Sequence, residues 1–365
     1  MKRLSLFAAM VASVLMASCA EMLGSSQRVA VVVPERQNWN GVELHGDIEK
    51  IESHSYELEG YFGFEELGEL LNQTTTEFNL RGDVVSIVSV DDQLFNNESY
   101  TYTYDRDGHL VGKVVSFGSS SDEHRYTLDK YGCVVVDELY ADGGELSSRV
   151  TITYDNAGND INHLSVDAFG NTKLVQDRAY DENNRCVEII FTDGDDQVRT
   201  RETIAYDAEG RKMCVVNYEG YDIVKSKVEY LYRDNEVVCT TYDDMGAFFS
   251  KSSERFDAEG RLVEKVAYDA QDAVISKTET TYNEQGKVAT VCQTGKNGLI
   301  MSLKSYEYDA KGCLVKFTED DKQSASLTVI LYSYDEHLNL VKERCYMGKL
   351  LVSQYVTQYN ITYRQ

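Results

Sequence analysis

The stretch Phe256-Asp257-Ala258-Glu259-Gly260-Arg261-Leu262 decides the fold, because its pattern returns along nearly the whole chain. The aromatic–Asp–x–x–Gly unit recurs as Tyr104–Gly108, Tyr154–Gly158, Tyr206–Gly210 and Tyr308–Gly312. Looser copies begin at Phe78, Leu128, Tyr180, Tyr232, Tyr282 and Tyr334, with successive starts 26 residues apart except two intervals of 24. Such a constant period marks an array in which each copy is one supersecondary unit. Before each turn the residues alternate, as in Tyr100-Thr-Tyr102-Thr-Tyr104, the period-2 pattern of a strand with an aromatic face. Asp followed three residues later by Gly suits a type I turn, with Asp bonding the backbone and Gly taking positive φ.

A β-rich run follows each turn, then a second polar turn such as Asp193-Gly194-Asp195, then the return to the next tyrosine. One repeat is therefore one hairpin. A degenerate copy begins near Val42, where Leu44-His45-Gly46-Asp47-Ile48 echoes Leu80-Arg81-Gly82-Asp83-Val84. The single proline, Pro34, precedes the array, as expected where nearly every N–H serves a ladder. The turn code lapses at Asn184, which tolerates left-handed φ, and at Leu338, where Asn339 is expected to take the left-handed position and shift the turn by one.

These residues predict an all-β chain of tandem antiparallel β-hairpin repeats, forming an elongated, curled or coiled sheet; a β-solenoid with one repeat per coil is the alternative. The closest copies, Phe256–Leu262 and Tyr308-Asp-Ala-Lys-Gly-Cys-Leu314, resemble the YD (Rhs-type) repeats of bacterial surface and toxin-associated proteins, although the period here is longer. The resemblance covers roughly residues 78–345. It implies long sheets that coil into shells, with carbohydrate binding or adhesion in some members. No terminal toxin domain is visible.

The N-terminus sets the compartment. Lys2 and Arg3, an apolar run from Leu4 to Ala17, and Ser18-Cys19 read as an export signal too short to span a bilayer. Leu15-Met16-Ala17-Ser18-Cys19 resembles the lipobox of bacterial lipoproteins, which implies acylation of Cys19 and, with Ala20 next, an outer-membrane destination. The expected organisation is a lipoprotein signal over 1–18, a lipid-anchored tether over 19–41, a degenerate first repeat with an insertion over 42–77, and the array over 78–365. Loss of the signal moves the formal charge from −25 to −27, which argues against nucleic acid or an anionic membrane as partner. Seven cysteines remain after Cys19, an odd number without metal-type CxxC pairs. In a hairpin meander their equivalent strands lie about 9.6 Å apart, beyond disulfide reach, so free thiols are expected.

No catalytic constellation stands out. The six histidines are scattered, and no HExxH, GxSxG, P-loop or dinucleotide motif occurs. Asp-rich turns such as Asp105-Arg-Asp107-Gly108 lack the ligand spacing of calcium loops. The chain is read as a non-enzyme with no metal and no cofactor. The register tyrosines suit either stacked sheet pairs or platforms for sugars, the sheet pairs being the plainer account. The insertion, Tyr61-Phe62-Gly-Phe64-Glu-Glu-Leu67-Gly-Glu-Leu70-Leu71, has mixed apolar spacing that fits a short helix capping the array or a ligand-contacting loop. Trp39, Tyr61, Phe62 and Phe64 are therefore the candidate binding residues. The expected role is an envelope-anchored binding or adhesion scaffold, held to a lipid bilayer through Cys19 and taking a glycan or protein ligand. A purely structural spacer is the alternative, and a polysaccharide-acting enzyme a distant third.

Overall fold

A computed structural model describes residues 44–91, 95–142 and 144–365. The signal, Cys19, the tether, Trp39 and Val42 lie outside the described residues. The described chain forms 24 strands, and every one pairs antiparallel with its neighbours in sequence. The sheet then closes: the first strand, β1 (Ile48–Tyr61), pairs both with β2 (Phe64–Phe78) and with the last, β24 (Val352–Tyr363). The fold is a closed β-barrel. This corrects the open coiled sheet and excludes the solenoid, since consecutive strands meander side by side instead of winding around an axis. The reason is the edge problem: an open array ends in two rows of unpaired backbone groups, and joining them removes both. The insertion also proves to be strand, not helix. It lengthens β1 and β2 to 14 and 15 residues.

The turn chemistry explains the repeat. At Asp257, Gly260 N donates to the Asp257 carbonyl and Asp257 N donates to the Arg261 carbonyl. Asp257 Oδ1 accepts from Glu259 N and Arg261 N at 3.1 and 2.8 Å. This is a type I turn closed by a left-handed residue, with the strand register slipping by one beside it. Gly260 supplies that residue at φ +77°. Asn184 takes the same place at +59°, and Leu338 at +71°, so the expected shift to Asn339 does not occur. Leu338 N still donates to the Asp335 carbonyl. The two 24-residue intervals are also accounted for: tight two-residue turns at Gly118-Ser119 and Asp234-Asn235 replace longer ones and leave the wall's register intact.

Alternation gives the wall two different faces. The register tyrosines share one face with Ile204, Val215, Phe317 and Ile330, and Tyr306 packs on Phe317 at 5.2 Å. Burial pushes the Tyr126, Tyr334 and Tyr359 phenols up to about 12 on this face. It is the less exposed face of strands such as Glu145–Tyr154. The other face carries cross-strand ion pairs such as Glu138–Arg149 and Glu264–Lys277. All seven cysteines among the described residues are free thiols.

The two hydrophobic clusters sit at the seam. One joins Ile48, Ile51 and Phe78 to Tyr359 and Ile361; the other joins Leu58 to Val329, Tyr346 and Val356. Polar staples reinforce it. Buried Asn339 accepts from His45 N at 2.8 Å and donates to the His45 carbonyl and Tyr363 Oη, both at 2.7 Å. Arg364 donates to Asp47 Oδ1 at 2.8 Å and to the Ile48 and Phe78 carbonyls.

Candidate functional site

The tyrosines are the first residues to place, and their chemistry is committed to the wall. In the Asp257 copy, Asp257 Oδ2 holds the Arg261 guanidinium at 2.7 Å. Arg261 in turn covers the ring of Tyr282, one repeat on, at 4.5 Å. The Tyr282 hydroxyl donates back to the Leu262 carbonyl at 2.8 Å. The same chain of contacts links Arg185 to Tyr206 and Cys186, and Arg211 to Tyr232 and Lys212. Tyr154, Tyr308 and Tyr334 make the same hydroxyl–carbonyl bond. The aromatic–Asp–x–x–Gly–Arg unit is thus a staple between successive hairpins. Where Arg covers the ring and the backbone takes the hydroxyl, neither is left to stack on or bind a sugar.

One buried polar cluster was invisible in sequence. Asp160, 5% exposed, stands in the position that Leu262 fills elsewhere. His163 Nε2 lies 2.9 Å from Asp160 Oδ2, Tyr180 donates to Oδ1 at 2.8 Å, and Arg178 pairs with Oδ2. Burial works to raise the Asp160 pKa, but His163, Tyr180 and Arg178 outweigh it and hold the carboxyl at about 2. The four residues come from β9 (Asp160–Asp167) and β10 (Thr172–Tyr180), spaced as no linear motif would show. Every Asp160 oxygen is occupied, so the arrangement is a satisfied ion network in the wall.

Asp105, Asp107 and His109 bring three ligand atoms together on one exposed turn. The Asp105 carboxylate already accepts from Asp107 N and His109 N at 2.9 Å, with His109 Nδ1 3.1 Å away. That is the ordinary work of the turn aspartate.

The candidate contact residues converge at one place. Tyr61, Phe62 and Phe64 form the tip of the long β1–β2 hairpin, and Phe64 is 85% exposed. Phe62 N donates to the Leu351 carbonyl at 3.3 Å, and its ring packs edge-on against Tyr346 at 5.1 Å. Tyr346 donates to Glu65 Oε1 at 2.8 Å. The tip is thereby fixed to the last hairpin of the barrel, while Leu67, Leu70 and Leu71 stay exposed along β2. A rigid apolar surface results, built on the seam.

No family model matches the chain, and no curated protein is similar to it in sequence. Among solved structures it is similar to TcdB2-TccC3-Cdc42, with a TM-score of 0.40 and 14% identity, covering 77% of this chain and 17% of that one. A porin-like protein from Bacteroides uniformis is similar at a TM-score of 0.27 and 10% identity, covering 87% of this chain and 98% of that one. The chain spans less than a fifth of the length of the first. These likenesses concern the arrangement of strands and carry nothing about activity.

Proposed function

We propose that the chain is an envelope-anchored, non-catalytic binding scaffold that presents the seam hairpin to a protein ligand. The observation that carries this reading is the exposed set Tyr61, Phe64, Leu67, Leu70 and Leu71 on the longest hairpin, pinned by Phe62 and Glu65 to Tyr346. Exposed apolar groups gathered on both faces of a pinned hairpin, Tyr61 and Phe64 on one and Leu67 on the other, are the physical mark of an interaction surface. A protein ligand is favoured over a glycan because rings and hydroxyls of the wall tyrosines are already engaged. Ion pairs on both faces of the wall, Glu138–Arg149 on one and Lys304–Glu319 on the other, support a barrel that stands in water. A lysine or arginine facing lipid at mid-bilayer costs about 2–4 kcal/mol. The anchor is Cys19.

The test is a photoreactive residue at position 64 of the acylated chain in its native cells. A discrete protein adduct, lost when the same group sits at position 259 on a turn at the opposite end, is the expected result. Absence of any adduct, with or without a positive glycan array, would sink the protein-ligand reading.

A further inference from the structure

The two mouths of the barrel are built from the same turns yet differ in character. Hairpin turns alternate between them, so the Asp105, Asp155, Asp207, Asp257 and Asp309 turns share one mouth. On the turns of that mouth, among the described residues, only Leu80 and Tyr131 are large exposed apolar groups. The other mouth displays, besides the tip of the seam hairpin, Phe169, Met245, Phe249, Leu299 and Leu350, each 71 to 90% exposed. The turn itself does not require this. Phe169 N and Met245 N donate to Asp167 and Asp243 Oδ1 as Glu259 N does to Asp257; the position holds Asp195 and Gln271 elsewhere on this mouth, and Asp107, Glu209, Glu259, Lys311 or Tyr131 on the polar one. The turn geometry therefore does not call for Phe169 or Met245.

We propose that this mouth seats on the surface of a zwitterionic lipid bilayer. The apolar groups stand on several turns, Met245 and Phe249 together at one, and neighbouring turns lie about 9.6 Å apart around a wall of about 115 Å or more. A folded partner would need a matching ring of separate pockets. A bilayer interface needs only to be flat, and it takes aromatic and aliphatic tips wherever they fall. Charge selects the lipid: Lys173, Lys296 and Lys251 offset Asp167, Asp269 and Asp272, but Asp195, Asp196, Asp243 and Asp244 keep the rim acidic, so an anionic surface is disfavoured. The chain outside the described residues permits the pose. From Cys19 to Leu44 is 25 residues, roughly 85 Å when extended, against a wall about 30 Å high for nine-residue strands. An anchor at Cys19 can therefore lie beside either mouth. The inference rests on the scaffold reading only for that anchor.

The test uses the acylated chain with Trp39→Phe as background and one reporter tryptophan at a time, Phe169→Trp or Phe249→Trp at the apolar mouth and Leu80→Trp at the polar one. Each site is exposed, so the fold should survive, and circular dichroism identical to the parent is required of each. With phosphatidylcholine–phosphatidylethanolamine vesicles, the apolar-mouth reporters should shift to shorter wavelength and be quenched several-fold by lipids brominated in the acyl chain. The Leu80→Trp reporter should do neither, and high salt should leave the quenching unchanged. Reporters that stay unquenched while the protein floats with the vesicles would overturn the proposal and leave the anchor intact. Failure to float would instead overturn the anchored-scaffold reading. A concentration-dependent shift without lipid would assign the rim to a second copy of the chain, and equally overturn the proposal.

Discussion

At the scale of single residues, the turn aspartate, the closing glycine and the staple arginine each do one identifiable thing, and the first two were legible in sequence because their roles are local. Leu338 was misread for the same reason. Its positive φ, which costs an L-residue about 1–2 kcal/mol, is imposed from outside the turn, by Asn339, whose side chain reaches His45 across the seam and Tyr363 on the last strand. If the turn shifted by one, Asn339 would lose those partners. Asp160 was likewise illegible: nothing in the linear pattern places His163, Arg178 and Tyr180 around it. Its depressed pKa makes a directional prediction. A carboxyl held at about 2 when folded, against about 3.9 unfolded, adds stability above pH 4 that disappears as the pH falls through 2. Urea midpoints should therefore fall between pH 4 and 2 in the parent by an amount worth about 2 kcal/mol, and Asp160→Asn should lack that part of the fall. An unchanged pH slope in the variant would show that the network is not formed.

At the scale of the element, the hairpin and its period were readable, but what joins one hairpin to the next was not. The sequence shows Arg after Gly in the best copies; only the fold brings Arg261 over a ring 21 residues ahead. An exposed cation–π contact is worth about 0.5–1 kcal/mol and a hydrogen bond of this kind about 1 kcal/mol. Repeated along the wall, such terms replace the deep core that the barrel lacks away from its seam. A double-mutant cycle on Arg261→Ala and Tyr282→Leu should return a coupling energy of about 0.5–1 kcal/mol. Additivity of the two changes would show that ring and guanidinium merely lie near one another. The insertion at 61–71 was misassigned as helix because bulges beside Tyr56 and Leu58 break the alternation that marks a strand.

At the scale of the molecule, closure was beyond the sequence, since it depends on strands 1 and 24 meeting across nearly the full chain. It has consequences that an open array would not share. Removing the 26 residues Asp257–Tyr282 joins Phe256 to Asn283, restoring an aromatic–Asn–x–x–Gly turn and leaving an even number of strands. The shortened chain should fold as a smaller closed barrel, monomeric by light scattering and smaller by X-ray scattering. Removal of β24 alone should instead expose two edges and aggregate. If both deletions behaved alike, the seam would not be what holds the array in solution.

Closure also gives the molecule a characteristic response to alkali. One face of the wall concentrates tyrosines: burial first, and neighbouring carboxylates second, raise Tyr359 and Tyr363 to about 12 and push Tyr102, Tyr180, Tyr332 and Tyr355 up as well. In the unfolded chain all would ionise near pH 10. The folded state therefore favours the neutral phenol, and the stability this provides is complete below pH 10 and lost as pH rises from 10 through 12. Many such groups share one wall, so each phenolate formed there between pH 10 and 12 lowers the stability of the folded state. Phenolate absorbance should consequently lag a free-tyrosine titration and then rise cooperatively, together with loss of the β-sheet circular dichroism signal. A broad titration centred near 10 with the sheet signal intact would mean that the tyrosine face is wet, and that the barrel does not enclose it.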